Sequence, residues 1–244
     1  MMEKDVRIIE SEYLSKEIEL VSYGRYGIAM IIFPTQGDSC HDAENTGFVH
    51  TLKDYINSGK VKIYSVSTVN LQSWLDPGKS DEERSRRHFE FNRFLEEEFV
   101  PYIYESCGGP VPMLTMGASI GAYHAANTFF RRPDIFMGTI ALSGFYDIRK
   151  LTKGYFDENC YFNSPVDYLP NLNDNYWMSY LLNRKHIYLA SGSGRYESPD
   201  QTQTFSDILR SKDIKHRCDL WDTKWDHDSK TWNEQLKHIT NSFL

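Results

Sequence analysis

Five residues, Gly117-Ala118-Ser119-Ile120-Gly121, constrain this chain more than any other stretch. Residues 111–116, just before them, are short and apolar and read as a buried strand. Residues 120–132, overlapping them, carry apolar side chains at helical spacing and stop before Pro133. The G-x-S-x-G sequence therefore leaves no room for a loop between strand and helix. A turn this sharp holds its serine in strained backbone, with the hydroxyl clear of the chain at the C-terminal edge of a sheet. Its neighbours must be small for the helix to pack back on the strand, and Gly117, Ala118, Gly121 and Ala122 are small. The free N–H groups of the new helix point at the same place. The bland alternative is an ordinary strand-to-helix turn with a serine N-cap. The nucleophile reading demands more of the chain: a base, an acid and donors for an oxyanion.

The rest of the chain alternates strands and helices around this turn. Residues 28–33, 61–66, 138–142, 186–190 and 215–221 read as strands, and residues 6–9 and 16–21 as an N-terminal hairpin. Residues 47–56, 81–104, 200–209 and 229–243 read as helices, the second opened by a capping box at Ser80 and Glu83. Glu96–Glu98 reads as the solvated face of that long helix. This alternation predicts an α/β fold, a mostly parallel central sheet with helices on both faces, in a single domain over residues 1–244. Residues 150–180 interrupt it with an aromatic-rich insert broken by Pro165 and Pro170, expected to be irregular. Tyr161, Phe162 and Trp177 within it are candidates for a substrate pocket wall; the plain alternative is a satellite packing cluster.

Composition removes several function classes. A formal net charge of −7 speaks against nucleic acid and anionic membrane as partners. No apolar run approaches the roughly 18 residues a membrane span needs. The four cysteines are scattered and form no C-x-x-C, and the first residues lack an apolar export segment. The expectation is a cytoplasmic protein with free thiols. No His-Glu-x-x-His pattern occurs, and Gly192-Ser193-Gly194 lacks the third glycine and the helix of a dinucleotide site. No metal and no cofactor are expected. The oligomeric state stays open, a homo-oligomer included.

A serine hydroxyl needs a neighbouring base. For an elbow of this kind the chain order is serine, acid, histidine. Of the eight histidines, only His227 and His238 follow the last strand, and His227 lies in a loop before the closing helix. His227 is the candidate base. His124 sits on the elbow helix pointing away from the hydroxyl. For the acid, Glu197 and Asp200 both follow the strand at 186–190, and Asp147 follows the strand before it. Asp200 has a ready alternative role in capping the next helix; Asp228 is a candidate N-cap of the last one. The oxyanion donors fall to the backbone N–H of Ile120 and to Gln36 or Gly37 in the loop after residues 28–33.

With those residues in view, the chain resembles the esterase D-like family of α/β-hydrolases. The resemblance rests on Gly117–Asn127, on Ala141-Leu142-Ser143-Gly144-Phe145-Tyr146-Asp147, on Tyr161-Phe162-Asn163-Ser164-Pro165 with Tyr168-Leu169-Pro170, and on His227-Asp228 followed by Trp232. It implies the α/β-hydrolase fold and a serine hydrolase that cleaves small carboxylic esters or thioesters through an acyl-enzyme. It also implies Glu197 as the acid, because Gly194-Arg195-Tyr196-Glu197 is similar to the family's segment there. The loop Pro34-Thr35-Gln36-Gly37 departs from the His-Gly of many esterases. Two alternatives share the fold: an acyltransferase on the same triad and a binding protein without turnover.

Overall fold

Strand β3 (Ile28–Phe33) shows how the chain sorts its apolar residues. Successive side chains of a strand point to opposite faces. Ala29, Ile31 and Phe33 enter one apolar cluster, and Met30 and Ile32 enter another on the opposite face. A continuous apolar run is therefore what a strand covered on both faces requires. The computed structural model describes residues 2–244.

Eight strands form one sheet: β1 (Lys4–Ser11), β2 (Lys16–Tyr23), β3, β4 (Val61–Val66), β5 (Met113–Ala118), β6 (Phe136–Leu142), β7 (His186–Ser191) and β8 (Arg217–Leu220). Their spatial order is β1-β2-β4-β3-β5-β6-β7-β8. The β1–β2 and β2–β4 pairs are antiparallel and the others parallel. One face packs against the helices Asp81–Phe94, Ile120–Arg131 and Pro199–Ser211 through Phe91, Phe94, Ala125, Phe129, Phe205 and Leu209. The other packs against Phe48–Thr51, Lys53–Asn57 and Ser229–Thr240 through Phe48, Ile56, Trp232 and Leu236. Because β3, β5, β6, β7 and β8 run parallel, the loops that follow them leave from one edge of the sheet. Gln36, Ser119, Glu197 and His227 all belong to those loops.

Four sequence expectations change. The helix expected over residues 47–56 is a set of short turns, Asp42–Asn45, Phe48–Thr51 and Lys53–Asn57. Gly47 separates the first two with a left-handed φ of 90°. The long helix begins at its capping box, with the Glu83 N–H donating to Ser80 Oγ at 3.2 Å and the Ser80 N–H to Glu83 Oε2 at 2.9 Å. It then widens into a π segment over Leu95–Phe99 and continues as Val100–Ser106. Pro101 has no N–H to offer Glu97, and a wider turn just before it absorbs the missing bond. The acidic run is not simply solvated. Glu96 pairs with Arg131 and Arg132, and Glu98 accepts the N–H of Glu12 at 2.9 Å, which leaves Glu97 exposed. The aromatic insert is helical rather than irregular: Arg149–Thr152, Glu158–Phe162, Pro165–Asn171 and Asn175–Asn183. Pro165 opens its helix, where an N–H has no partner to lose, and Pro170 falls in the last turn.

Among the described residues no helix is long and apolar enough to cross a membrane. All four cysteines are free thiols. The two-faced burial of β3 carries a direct test. Ile31 and Ile32 are each about fully buried, on opposite faces. Alanine at either position should cost roughly 2–5 kcal/mol in urea unfolding.

Candidate active site

Ser119 sits between β5 and the elbow helix Ile120–Arg131 with φ 56° and ψ −123°. A non-glycine residue with positive φ costs about 1–3 kcal/mol and persists only where its surroundings hold it. Here the surroundings are backbone. A Cβ on Gly117 would lie 2.2 Å from the Gly121 carbonyl oxygen, and one on Gly121 would lie 2.6 Å from the carbonyl oxygens of Phe33 and Pro34. So β5, the first helical turn and the end of β3 touch main chain to main chain. The Ser119 N–H adds a bond to the Leu142 carbonyl at 2.9 Å.

Two loops bring the other groups to this turn. The loop after β7 and the loop after β8 also meet backbone to backbone. A Cβ on Gly192 would lie 2.2 Å from the Trp225 carbonyl oxygen, and one on Gly194 2.3 Å from Asp226 Oδ1. The Gly194 N–H donates to Trp225 O at 2.9 Å, the His227 N–H to Arg195 O at 3.0 Å, and the Arg195 N–H to Asp226 Oδ1 at 2.7 Å. The glycines of Ser191-Gly192-Ser193-Gly194 are thus needed for this approach. The result is a chain of three side chains. His227 Nε2 lies 3.0 Å from Ser119 Oγ, and His227 Nδ1 lies 3.3 Å from Glu197 Oε2.

The Glu197 side chain is 1% exposed. Burial works to raise its pKa, but hydrogen bonds from His227, from Ser143 Oγ at 2.6 Å and from Ser191 Oγ at 3.1 Å outweigh it. The net shift is downward, so the carboxylate stays ionised near neutral pH. The other acids are occupied elsewhere. Asp147 pairs with Arg149, Asp226 accepts the Arg195 N–H, and Asp228 caps the closing helix through the Thr231 N–H. Asp200 is exposed and bonds Gln201, while Ser198 occupies the N-cap expected of Asp200. His238 lies on the closing helix beside Arg217 and Asp219.

The candidate oxyanion groups stand side by side because β3 and β5 are parallel neighbours, with Phe33 opposite Gly117. Ile120 opens its helix, where the N–H has no carbonyl four residues back to bond. Gln36 is exposed, and Gly37 takes a left-handed φ of 61°. The loop is held by a buried relay that the sequence did not announce. Asn70 Nδ2 donates to the Gly37 carbonyl at 2.9 Å, and Asn70 Oδ1 lies 2.7 Å from His124 Nε2. A carbonyl only accepts, so the Asn70 amide must face Gly37 and its oxygen must face the histidine. His124 therefore carries its proton on Nε2. Burial pushes its pKa down to about 3, which keeps the ring neutral. On the far side of the loop, Asp42 Oδ2 accepts the Thr35 N–H at 2.7 Å and Thr35 Oγ1 at 2.9 Å.

The expected pocket residues lie elsewhere. Tyr161, Phe162 and Trp177 do line one cavity, of about 680 Å³, with Phe89, Phe130 and Arg131. Ser119, His227 and Glu197 are not in its wall. Phe130 and Arg131 end the elbow helix, about 16 Å along its axis from Ile120 at 1.5 Å per residue. The apolar side chains packed around Ile120 are instead Trp74, Tyr123, Ile148 and Cys160, with Phe145, Leu151 and Tyr155 against them. Of these, only Trp74 and Ile148 lay outside the stretches the sequence had marked.

No family model matches the sequence, and no curated protein matches it. Solved structures do. A ferulic acid esterase is 17% identical, covering 100% of this chain and 99% of its own, with a TM-score of 0.73. A CE1 ferulic acid esterase from Anaeromyces mucronatus is 12% identical, covering 98% and 89%, with a TM-score of 0.72. An S-formylglutathione hydrolase from Agrobacterium tumefaciens is 11% identical, covering 98% and 94%, with a TM-score of 0.70. By sheet order and by these neighbours the chain has the α/β-hydrolase fold.

The close approach at the elbow can be measured. Gly121→Ala should destabilise the protein by about 1–3 kcal/mol in urea unfolding, because rigid carbonyls rather than side chains must move. Gly78→Ala meets only the Asp76 carboxylate at 3.3 Å and should change little.

Proposed function

We propose that this protein is a serine hydrolase that cleaves carboxylic esters or thioesters through an acyl-enzyme on Ser119. The observation that carries the reading is the hydrogen-bonded chain Ser119–His227–Glu197, ending at a strained serine beside a helix N-terminus. In this reading His227 takes the Ser119 proton as Oγ attacks the acyl carbon, and later returns it to the leaving group. Glu197 holds the imidazole with its proton on Nδ1 and stabilises the imidazolium formed during attack. The Ile120 N–H and an N–H of the Gln36–Gly37 loop receive the developing oxyanion. Water then attacks the acyl-enzyme with His227 as base. The named activities of the structural neighbours, ferulic acid esterase and S-formylglutathione hydrolase, are those of ester and thioester cleavage and favour the same class. Phe145, Leu151 and Tyr155, half-buried in the cluster that holds Ile120, are the side chains we assign to the substrate's apolar part. Small-molecule esters or thioesters are the partners this reading calls for.

A panel of p-nitrophenyl esters with a fluorophosphonate probe tests the assignment. The probe should label Ser119, and Ser119→Ala should lose roughly 10³-fold or more in kcat with its melting temperature kept. Labelling at another residue would reject Ser119. Glu197→Gln should cut kcat by orders of magnitude, and Asp200→Asn should not.

The loop contact adds a further expectation. Gly194→Ala must displace Trp225 O or Asp226 and with them His227. A shift near 1 Å is worth roughly 10²-fold in turnover. A Gly194→Ala enzyme with parental kcat would show that the two loops need not touch.

A further inference from the structure

We propose that Glu19, Cys40 and His41 form a binding site for a zinc-type divalent metal ion. Their ligand atoms all lie within 4.8 Å of one another. His41 Nε2 is 3.5 Å from Glu19 Oε1. A thiolate, an imidazole and a carboxylate are the donor set of a borderline ion such as Zn²⁺ rather than of Ca²⁺ or Mg²⁺. Three protein donors leave the fourth tetrahedral position to water or a small ligand. Cys40 is fully buried, while the His41 and Glu19 side chains are 41% and 45% exposed, so an approaching ion meets the imidazole and the carboxylate before the sulfur.

The backbone already holds the three residues at this spacing. The Ser67 N–H donates to the Glu19 carbonyl at 3.0 Å, and Ser67 Oγ accepts the Cys40 N–H at 3.2 Å. Ser65 Oγ donates to the Cys40 carbonyl at 2.6 Å. The end of β4 therefore fixes β2 and the Cys40–His41 loop to one another, and binding needs little further ordering. The ligands come from a strand and a loop far apart in sequence, which is why no zinc spacing pattern appears there. On binding, the Cys40 S–H bond breaks, a sulfur–metal bond forms and the proton leaves to the buffer, with no change of oxidation state.

The position gives the site a consequence for the hydrolase. His41 immediately precedes Asp42, whose carboxylate holds Thr35 in the loop that carries Gln36 and Gly37. A metal on His41 restrains the turn that carries Asp42, the anchor of the candidate oxyanion loop, so the ion is a regulator of turnover rather than a participant in it. This consequence rests on the Ser119 reading; the binding itself does not.

The test uses the full chain and Co²⁺, whose thiolate charge-transfer absorption reports sulfur ligation directly. The wild type should bind one equivalent with that band, and Zn²⁺ should displace it. Changing groups that merely support a metal ligand costs 10–100-fold in affinity, so losing a ligand itself should cost at least about tenfold. Glu19→Gln and His41→Ala, both at exposed side chains, should show that loss. Cys40→Ala should lose the band, while Cys107→Ala and Cys218→Ala should keep it. Absence of the band in the wild type, its persistence in Cys40→Ala, or parental affinity in both Glu19→Gln and His41→Ala overturns the site. Zn²⁺ should alter ester turnover in the wild type and not in His41→Ala; an equal response in both overturns the coupling. If no ester is turned over at all, the Ser119 reading fails and the Co²⁺ titration still decides the metal site.

Discussion

The arrangement depends on main chain touching main chain at Ser119. Three backbone segments, the end of β3, the end of β5 and the first turn of the elbow helix, approach within distances that no Cβ tolerates at Gly117 or Gly121. That contact holds a positive φ on serine and lifts its hydroxyl out of the turn. It also sets the candidate oxyanion loop against the helix that opens with the Ile120 N–H, because the carbonyls of Phe33 and Pro34 rest on Gly121. One steric fact therefore positions the candidate nucleophile and the candidate oxyanion donors together. The same device recurs at Gly192 and Gly194, where the acid-bearing and base-bearing loops meet. Glycine is used here for proximity between loops, not for flexibility.

What the sequence made legible follows from this. A continuous apolar run identified β3 to the residue, because a strand buried on both faces has no polar position to blur the pattern. The elbow was legible because its chemistry is local. His227 was reachable from chain order, since parallel strands deliver successive loops to one edge, whereas chain order left Glu197, Asp200 and Asp147 open and only the resemblance singled out Glu197. The insert was not. Pro165 and Pro170 resemble breakers on paper, yet a proline in a helix's first position forfeits nothing. The position of Tyr161, Phe162 and Trp177 was equally hidden. Aromatic content says that a surface is buried or bound, but not at which end of a helix it lies. The Asn70–Gly37 and Asn70–His124 bonds join residues 33 and 54 positions apart, a separation at which no local pattern speaks.

That relay adds a second tie between the elbow and the loop after β3. Backbone contact at Gly121 fixes their distance, and Asn70 fixes the orientation of the Gly37 peptide relative to the elbow helix. A neutral His124 suits the task. An imidazolium buried behind the candidate oxyanion loop would have to be desolvated. A neutral ring donating through Nε2 holds Asn70 without that cost and does not change charge as pH moves across neutrality.

Glu197 presents the opposite problem, since it is a buried charge that must stay charged. No lysine or arginine pairs with it, and among the described residues its one ion-pair partner is His227. Two hydroxyls, from Ser143 and Ser191, supply hydrogen bonds that keep the carboxylate ionised without neutralising it. An arginine there would lower the carboxyl further, but its field would also oppose formation of the imidazolium. With hydroxyl dipoles alone, the full attraction of the carboxylate is left, in the mechanism we propose, for the positive charge that arises on His227 as the serine proton moves. That attraction is weak while the imidazole is neutral and strong in the transition state. Such a difference between states, rather than tight binding of the ground state, is what accelerates a reaction.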